Sequence, residues 1–195
     1  DLSCEQDCRH VVRRCDQVFG RVDGLVNAAG VTKRGTLDDT TVALWDEIFA
    51  VNVRAPFLLI QDTARIMKRE GRGGSIVNII SDTSYGGKPY ITPYSASKGA
   101  LATLTKNVAH ALRWEKIRVN GINMGWTYTP QEHQNQKFMG EADDWLEKAD
   151  AAQPFGRLLR PYDIAYLVGY LISDQAEMMT GALIDCDQEV MGAWD

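Results

Sequence analysis

The sequence has no apolar run approaching the roughly 18 residues of a membrane-spanning helix. It has no basic excess either. Lys and Arg number 21 against 26 Asp and Glu, a net charge of −5, so no nucleic-acid or anionic-membrane surface is expected. Cysteine is scarce: Cys4, Cys8, Cys15 and Cys186 are the only four. The first three would share one helical stripe, but no second ligand pair at zinc-like spacing accompanies them, so ordinary packing is expected and no metal. No GxSxG elbow occurs, and His10, His110 and His133 have no serine-partner context, which argues against hydrolase chemistry. The opening DLSCEQDCRH is charged and lacks the apolar core of a secretory signal, so a cytoplasmic protein is expected. Finally, no strand runs into a glycine-rich loop and a helix, the arrangement that holds a dinucleotide's pyrophosphate. The one glycine cluster, GRGGS at 71–75, precedes a strand instead.

What is present is an ordinary globular composition, 45% hydrophobic and 24% charged over 195 residues, enough for one domain with a sizeable core. Runs rich in Val, Ile and Leu recur at 24–28, 75–80, 117–122 and 182–186 without sustained polar alternation, as in strands covered on both faces. Helix-length segments lie at 4–19, 40–70 and 93–113; in the last, Leu101, Leu104, Val108 and Leu112 form a helical stripe. Strand–helix alternation predicts an α/β fold with a doubly wound parallel sheet, Rossmann-like, with residues 1–195 forming part of a single domain. The polar stretch 126–158 breaks that rhythm and predicts short helices inserted as a substrate lid over one end of the sheet.

Tyr94 and Lys98 in YSASK are one helical turn apart. Alone, that spacing is weak. Thirteen residues earlier, at the end of a predicted strand, stands Ser81; Asn27-Ala28-Ala29-Gly30 ends another strand; Asn52 is expected to open a helical segment. Each falls where a parallel sheet places its ligands. The chemistry is coherent. Reducing a ketone leaves an alkoxide that needs a proton. A phenol near its ordinary pKa is a weak base, and a nearby ammonium lowers that pKa. Tyr94 is thus the candidate acid/base, Lys98 its tuner, and Ser81 the donor that steadies the substrate oxygen. The small residues Ser95, Ala96 and Ser97 are expected to leave room for a cofactor along that face.

Together these residues resemble the short-chain dehydrogenase/reductase family, in order and spacing over essentially the whole chain. The matches are NAAG for its NNAG turn, Asn52 in VNV, Ser81, Tyr94-x-x-x-Lys98, and RVNGINMGWTYT for its sixth strand and turn. The resemblance implies NAD or NADP as cofactor and a secondary alcohol or ketone as substrate. It implies Asn27, Ala28 and Gly30 on the adenosine side, Tyr94 and Lys98 at the nicotinamide ribose, and Gly125, Thr127 and Thr129 around carboxamide and phosphates. Asn52 would hold a proton-relay water. Asp1-Leu2 looks like the Asp-[Leu/Val] after the family's third strand, where the Asp meets the adenine. On that alignment the nucleotide-binding strands and glycine loop, roughly 50–70 residues, would lie upstream.

Two departures stand out: Met124-Gly125 replaces Pro-Gly, and Asp187-Gln188-Glu189 stands where Asp-Gly-Gly is usual, so that end is expected to be placed differently. The pocket is expected to involve Asp82, Thr83, Tyr85 and Tyr90, with lid residues Gln131, His133, Gln134 and Gln136 suiting a sugar, polyol or hydroxy acid. By analogy with the family, apolar residues on more than one face of 53–70 and 93–113 predict a homo-oligomer, dimer or tetramer. Two rivals remain at this level: a non-catalytic binding or scaffold protein, and an epimerase-like relative, whose larger C-terminal domain has no room here.

Overall fold

The structure, a computed structural model, describes residues 1–193. Four strands, β1 (Gly24–Asn27), β2 (Gly74–Ile79), β3 (Ile117–Met124) and β4 (Leu183–Cys186), form one all-parallel sheet in the order β1-β2-β3-β4. The helices are α1 (Glu5–Phe19), α2 (Val42–Phe49), α3 (Ala55–Glu70), α4 (Thr92–Leu112), α5 (Pro130–Phe138), α6 (Trp145–Ala151) and α7 (Pro161–Ile172). All four predicted strands are found, and the apolar runs are explained by burial on both faces.

β2 shows how the layers form. Ile76 packs with Ile60, Ala64 and Met67 of α3 and Ala109 and Leu112 of α4. Val77 and Ile79 point the other way, into a cluster with Ile164 and Leu171 of α7. Polar residues obey the same alternation: Asn78 donates to Thr105 of α4, whereas Ser75 donates to the Leu171 carbonyl of α7. α1 packs outside α3 through Cys8 and Val12 against Ala55, Leu58 and Leu59. Cys8 is a buried core residue and all four cysteines are free, in keeping with a packing role.

The glycine cluster at 71–75 has a structural use. Gly71 ends α3 in the left-handed conformation at φ 66°, and Gly73, at φ 78°, passes so close to Lys116 that a Cβ would sit 2.5 Å from its carbonyl oxygen. These glycines let helix turn into strand and hold no ligand loop.

The predicted helix 40–70 is interrupted. α2 stops at Phe49, residues Ala50–Arg54 form a single wide π-turn, and α3 resumes at Ala55. Asn52 therefore does not open a helix. It sits inside the π-turn, an insertion that widens the helix and is frequent at functional sites.

Candidate active site

The carboxyl ends of β1, β2 and β3 deliver the site. β1 ends in Asn27, whose buried side chain donates to Asn78 at 2.8 Å. Asn27 thus braces the sheet interior, while Ala28 and Gly30 lie exposed just beyond the strand end. A Cβ on Gly30 would lie 3.4 Å from Asn52 Oδ1 and 3.5 Å from Lys98 Nζ, so three sequence-predicted residues converge there.

Asn52 is fully buried. Its Oδ1 accepts from the Val31 amide at 2.9 Å; its Nδ2 donates to the Val31 carbonyl and to Ser97 Oγ, both at 3.0 Å. Ser97 Oγ in turn donates to the Tyr94 carbonyl at 2.6 Å. The small residues of YSASK are therefore used mainly for packing. Ser97 is buried against Asn52, and Ser95 Oγ lies where a Cβ on Gly87 would fall, 2.0 Å away. Only Ala96 of the three is exposed. The expectation of open room along all three is corrected accordingly.

Lys98 is almost fully buried, with Nζ 2.8 Å from the Ile79 carbonyl and 5.6 Å from the centre of the Tyr94 ring. Desolvation lowers its pKa to about 8. The Tyr94 phenol stands at about 12: burial raises it most, Ser81 pulls it down, Asp82 and Glu132 raise it, and Arg34 lowers it. The residue as a whole retains partial surface exposure, so the crowding is around the hydroxyl end. A phenol depressed by Lys98 was the sequence expectation. The direction here is the opposite, because desolvating a phenolate beside Asp82 and Glu132 outweighs the Ser81 hydrogen bond and the Arg34 charge.

Ser81 follows β2 and caps the short turn Asp82–Tyr85. It donates to Asp82 Oδ1 at 2.8 Å and accepts from Thr83 Oγ1 at 3.0 Å and Thr83 N at 3.2 Å. Thr83 thus supports Ser81 directly. Tyr85 bonds Asn123 and Asp185 at the ends of β3 and β4. Beyond β3, Gly125 is covered by Asp187, whose carboxylate lies 2.0 Å from where a Cβ would be, and burial raises the Asp187 pKa. That contact defines how the atypical C-terminal stretch is placed. Thr127 is buried and donates to the Gly125 carbonyl; Thr129 caps α5 by accepting from Glu132 N. Asp1 is exposed, its carboxylate accepting from Ser3 N and Oγ.

Residues 126–158 do form short helices, α5 and α6. Asn135 donates to Thr32 in the loop after β1, and Arg34 of that loop reaches Glu132, which ties the segment across the strand ends. Several of its polar groups serve the segment itself. His133 accepts from Trp145 Nε1, Gln131 donates to Asn135, and buried Gln136 donates to Glu132. Tyr90 lies under the Arg34 guanidinium at 5.6 Å. Arg34, Glu132 and Ser97 were missed by the sequence reading; a charge in a polar loop carries no mark of what it will face.

A groove of about 600 Å³ lies away from these residues. It runs between α2, the π-turn, α3 and α4, lined by Phe49, Val53, Phe57 and Leu104 among others.

Residues 1–188 match the family described as enoyl-(acyl carrier protein) reductase. An uncharacterized oxidoreductase of Thermotoga maritima is 35% identical over 93% of this chain and 72% of its own length. The 2-(S)-hydroxypropyl-CoM dehydrogenase 3 of Xanthobacter autotrophicus is 33% identical over 96% of this chain and 73% of its own. Among solved structures, an acetoin dehydrogenase from Salmonella typhimurium aligns at TM-score 0.83 and 32% identity, covering 96% of this chain and 72% of its own. Levodione reductase aligns at TM-score 0.89 and 29% identity, covering 96% and 74%. The parallel sheet, the family match and these relatives agree: the chain belongs to the short-chain dehydrogenase/reductase family of NAD(P)-dependent oxidoreductases.

Proposed function

We propose that this chain interconverts a secondary alcohol and a ketone, with Tyr94 exchanging the proton. The observation that carries the reading is the convergence of Asn52 Oδ1 and Lys98 Nζ within 3.5 Å of where a Cβ on Gly30 would lie, with Lys98 one helical turn from Tyr94. Gly30, expected on the adenosine side, lies instead beside Lys98 Nζ and offers bare backbone there; Lys98 has three N–H donors of which one goes to Ile79 O, so the residues fit a nicotinamide ribose. The bound nicotinamide would supply or accept the hydride. Near neutral pH Tyr94 is a phenol, ready to donate as charge develops on the carbonyl oxygen. Ser81, held by Thr83, would turn its one O–H from Asp82 to that oxygen. Asn52 holds the Val31 peptide and α4 in register, so Tyr94 and Lys98 keep their separation.

Two finer points belong to the same proposal. The substrate is small and polar, of the hydroxy-carbonyl kind suggested by the acetoin and hydroxypropyl-CoM relatives, with sugars and polyols included. The working form is a homo-oligomer, supported by the apolar groove beside exposed Phe57 and by the exposed Tyr162, Tyr166 and Tyr170 of α7. Four free cysteines suit a reducing cytoplasm. The test is direct: a carbinol-deuterated substrate panel with NAD or NADP should yield deuterated reduced nicotinamide. Absence of label transfer with every substrate would remove the oxidoreductase reading.

A further inference from the structure

Arg34 stands out among the arginines. Arg21, Arg69 and Arg157 each form tight forks with a carboxylate, with N–O distances of 2.6–2.9 Å to Asp23, Asp16 and Asp163. Arg34 makes one side-chain hydrogen bond among the described residues, Nη2 to Glu132 Oε1 at 3.5 Å. Its Nε is buried and meets no acceptor there. Glu132, by contrast, is well supplied without it. Trp126 Nε1, Gln136 Nε2 and Asn135 Nδ2 donate to it at 2.9, 2.6 and 3.2 Å. The guanidinium is stacked on Tyr90, about one quarter exposed, and close enough to Tyr94 to stabilise its phenolate. A planar fork with most of its donors uncommitted, stacked on Tyr90 within electrostatic reach of the Tyr94 phenol, matches the geometry of a carboxylate.

We propose that Arg34 is the anchor for a carboxylate on the substrate, so that this chain prefers hydroxy or oxo acids to neutral analogues, with Glu132 as the counter-ion when no acid is bound. The proposal rests on the dehydrogenase reading for turnover, and on Arg34 alone for binding. A carboxylate meeting the open Nη edge of the guanidinium replaces one 3.5 Å contact with two charge-assisted ones. A primary amide of the same shape offers the fork one acceptor instead of two, sets its NH2 against the second N–H and brings no charge, which is what gives such sites their discrimination.

The experiment compares matched pairs, 2-, 3- and 4-hydroxy acids and their primary amides, by steady-state kinetics and by calorimetric titration. For at least one chain length, wild type should favour the acid in kcat/KM by about 100-fold, mostly through KM. Arg34→Met should bring that ratio to near one, and Arg34→Lys should keep part of it, since an ammonium supplies charge without the fork. Glu132→Gln, which removes the resting counter-ion, should raise the ratio by roughly threefold or more. Equal binding of acid and amide by wild type at every length overturns the anchor. So does an Arg34→Met variant that loses acid and amide affinity alike, the pattern of a mere link between lid and loop. If wild type binds acids selectively in the calorimeter but moves no hydride, the anchor stands and the dehydrogenase reading falls.

Discussion

Asn52 and Val31 are joined at both ends of one residue: the Asn52 carboxamide accepts the Val31 N–H and donates to the Val31 C=O. The remaining amide hydrogen goes to Ser97 in the turn that separates Tyr94 from Lys98. A single buried side chain thus fixes the loop after β1 against the helix carrying the candidate acid. The π-turn is what permits this, since it displaces Asn52 from the α-helical ladder and aims it inward.

Removing that carboxamide takes away the partner of both the N–H and the C=O of half-buried Val31, and of Ser97 Oγ. Asn52→Ala should therefore destabilise by about 2–4 kcal/mol, the sum of a few lost bonds with orphaned partners. Urea denaturation checks this: the midpoint should fall while the slope stays constant. Asn52→Asp keeps the acceptor for Val31 N but offers a carboxylate to the Val31 carbonyl, and should be no more stable than the alanine variant.

Tyr94→Phe separates chemistry from folding. The ring stays, and the lost hydroxyl is one that burial disfavours in its charged form. The melting temperature should stay within a few degrees of wild type, while kcat falls by about 10²–10⁴-fold, the usual worth of a positioned proton donor. Unchanged turnover would remove Tyr94 from the mechanism. Because the phenol stands at about 12, alcohol oxidation in the wild type should also keep accelerating as pH rises above neutrality, when more phenolate is available.

The sheet was legible because its signal is local. Apolar runs such as SIVNII bury on both faces, and nothing in the chain competes with that reading. Ser81, Tyr94 and Lys98 were legible for a related reason: strand ends and helical spacing place them without any long-range information. The π-turn at 50–54 was not, since apolar periodicity runs through it almost unbroken and the widening depends on Asn52 finding Val31 and Ser97 in the fold. The direction of the Tyr94 shift was also hidden. It depends on how deeply the hydroxyl is packed and on Asp82 and Glu132 facing it from two other segments, one of them 38 residues downstream.

Gly30→Ala tests the cofactor-facing surface without touching the proton donor. Its methyl would lie 3.4–3.5 Å from Asn52 Oδ1 and Lys98 Nζ, close but not clashing. The cost to stability should stay below about 1 kcal/mol, because adding a Cβ also removes unfolded-state freedom. The apparent KM for NAD or NADP should rise by about tenfold, as bare backbone is what a ligand approaches there. An unchanged cofactor KM would mean the nicotinamide end sits elsewhere.

Lys98 offers the clearest exchange of stability for function. Its folded-state pKa is about 8 against an ordinary value of 10.5, so the unfolded chain holds the proton more tightly. Between those two values the unfolded state binds more protons, and stability must rise with pH across that window. Below about 8 the buried ammonium carries its full penalty, on the order of 3 kcal/mol from the shift. Lys98→Met removes the charge but leaves the Ile79 carbonyl without its donor, so the net gain at neutral pH should be about 1–2 kcal/mol. Thermal unfolding at neutral pH should show the variant melting higher than wild type, and the gap should narrow as pH climbs from 8 toward 10.5. Activity should be lost throughout, since no ammonium remains beside the Gly30 backbone. A variant that melts lower at every pH would show that the Ile79 contact outweighs the burial of the charge.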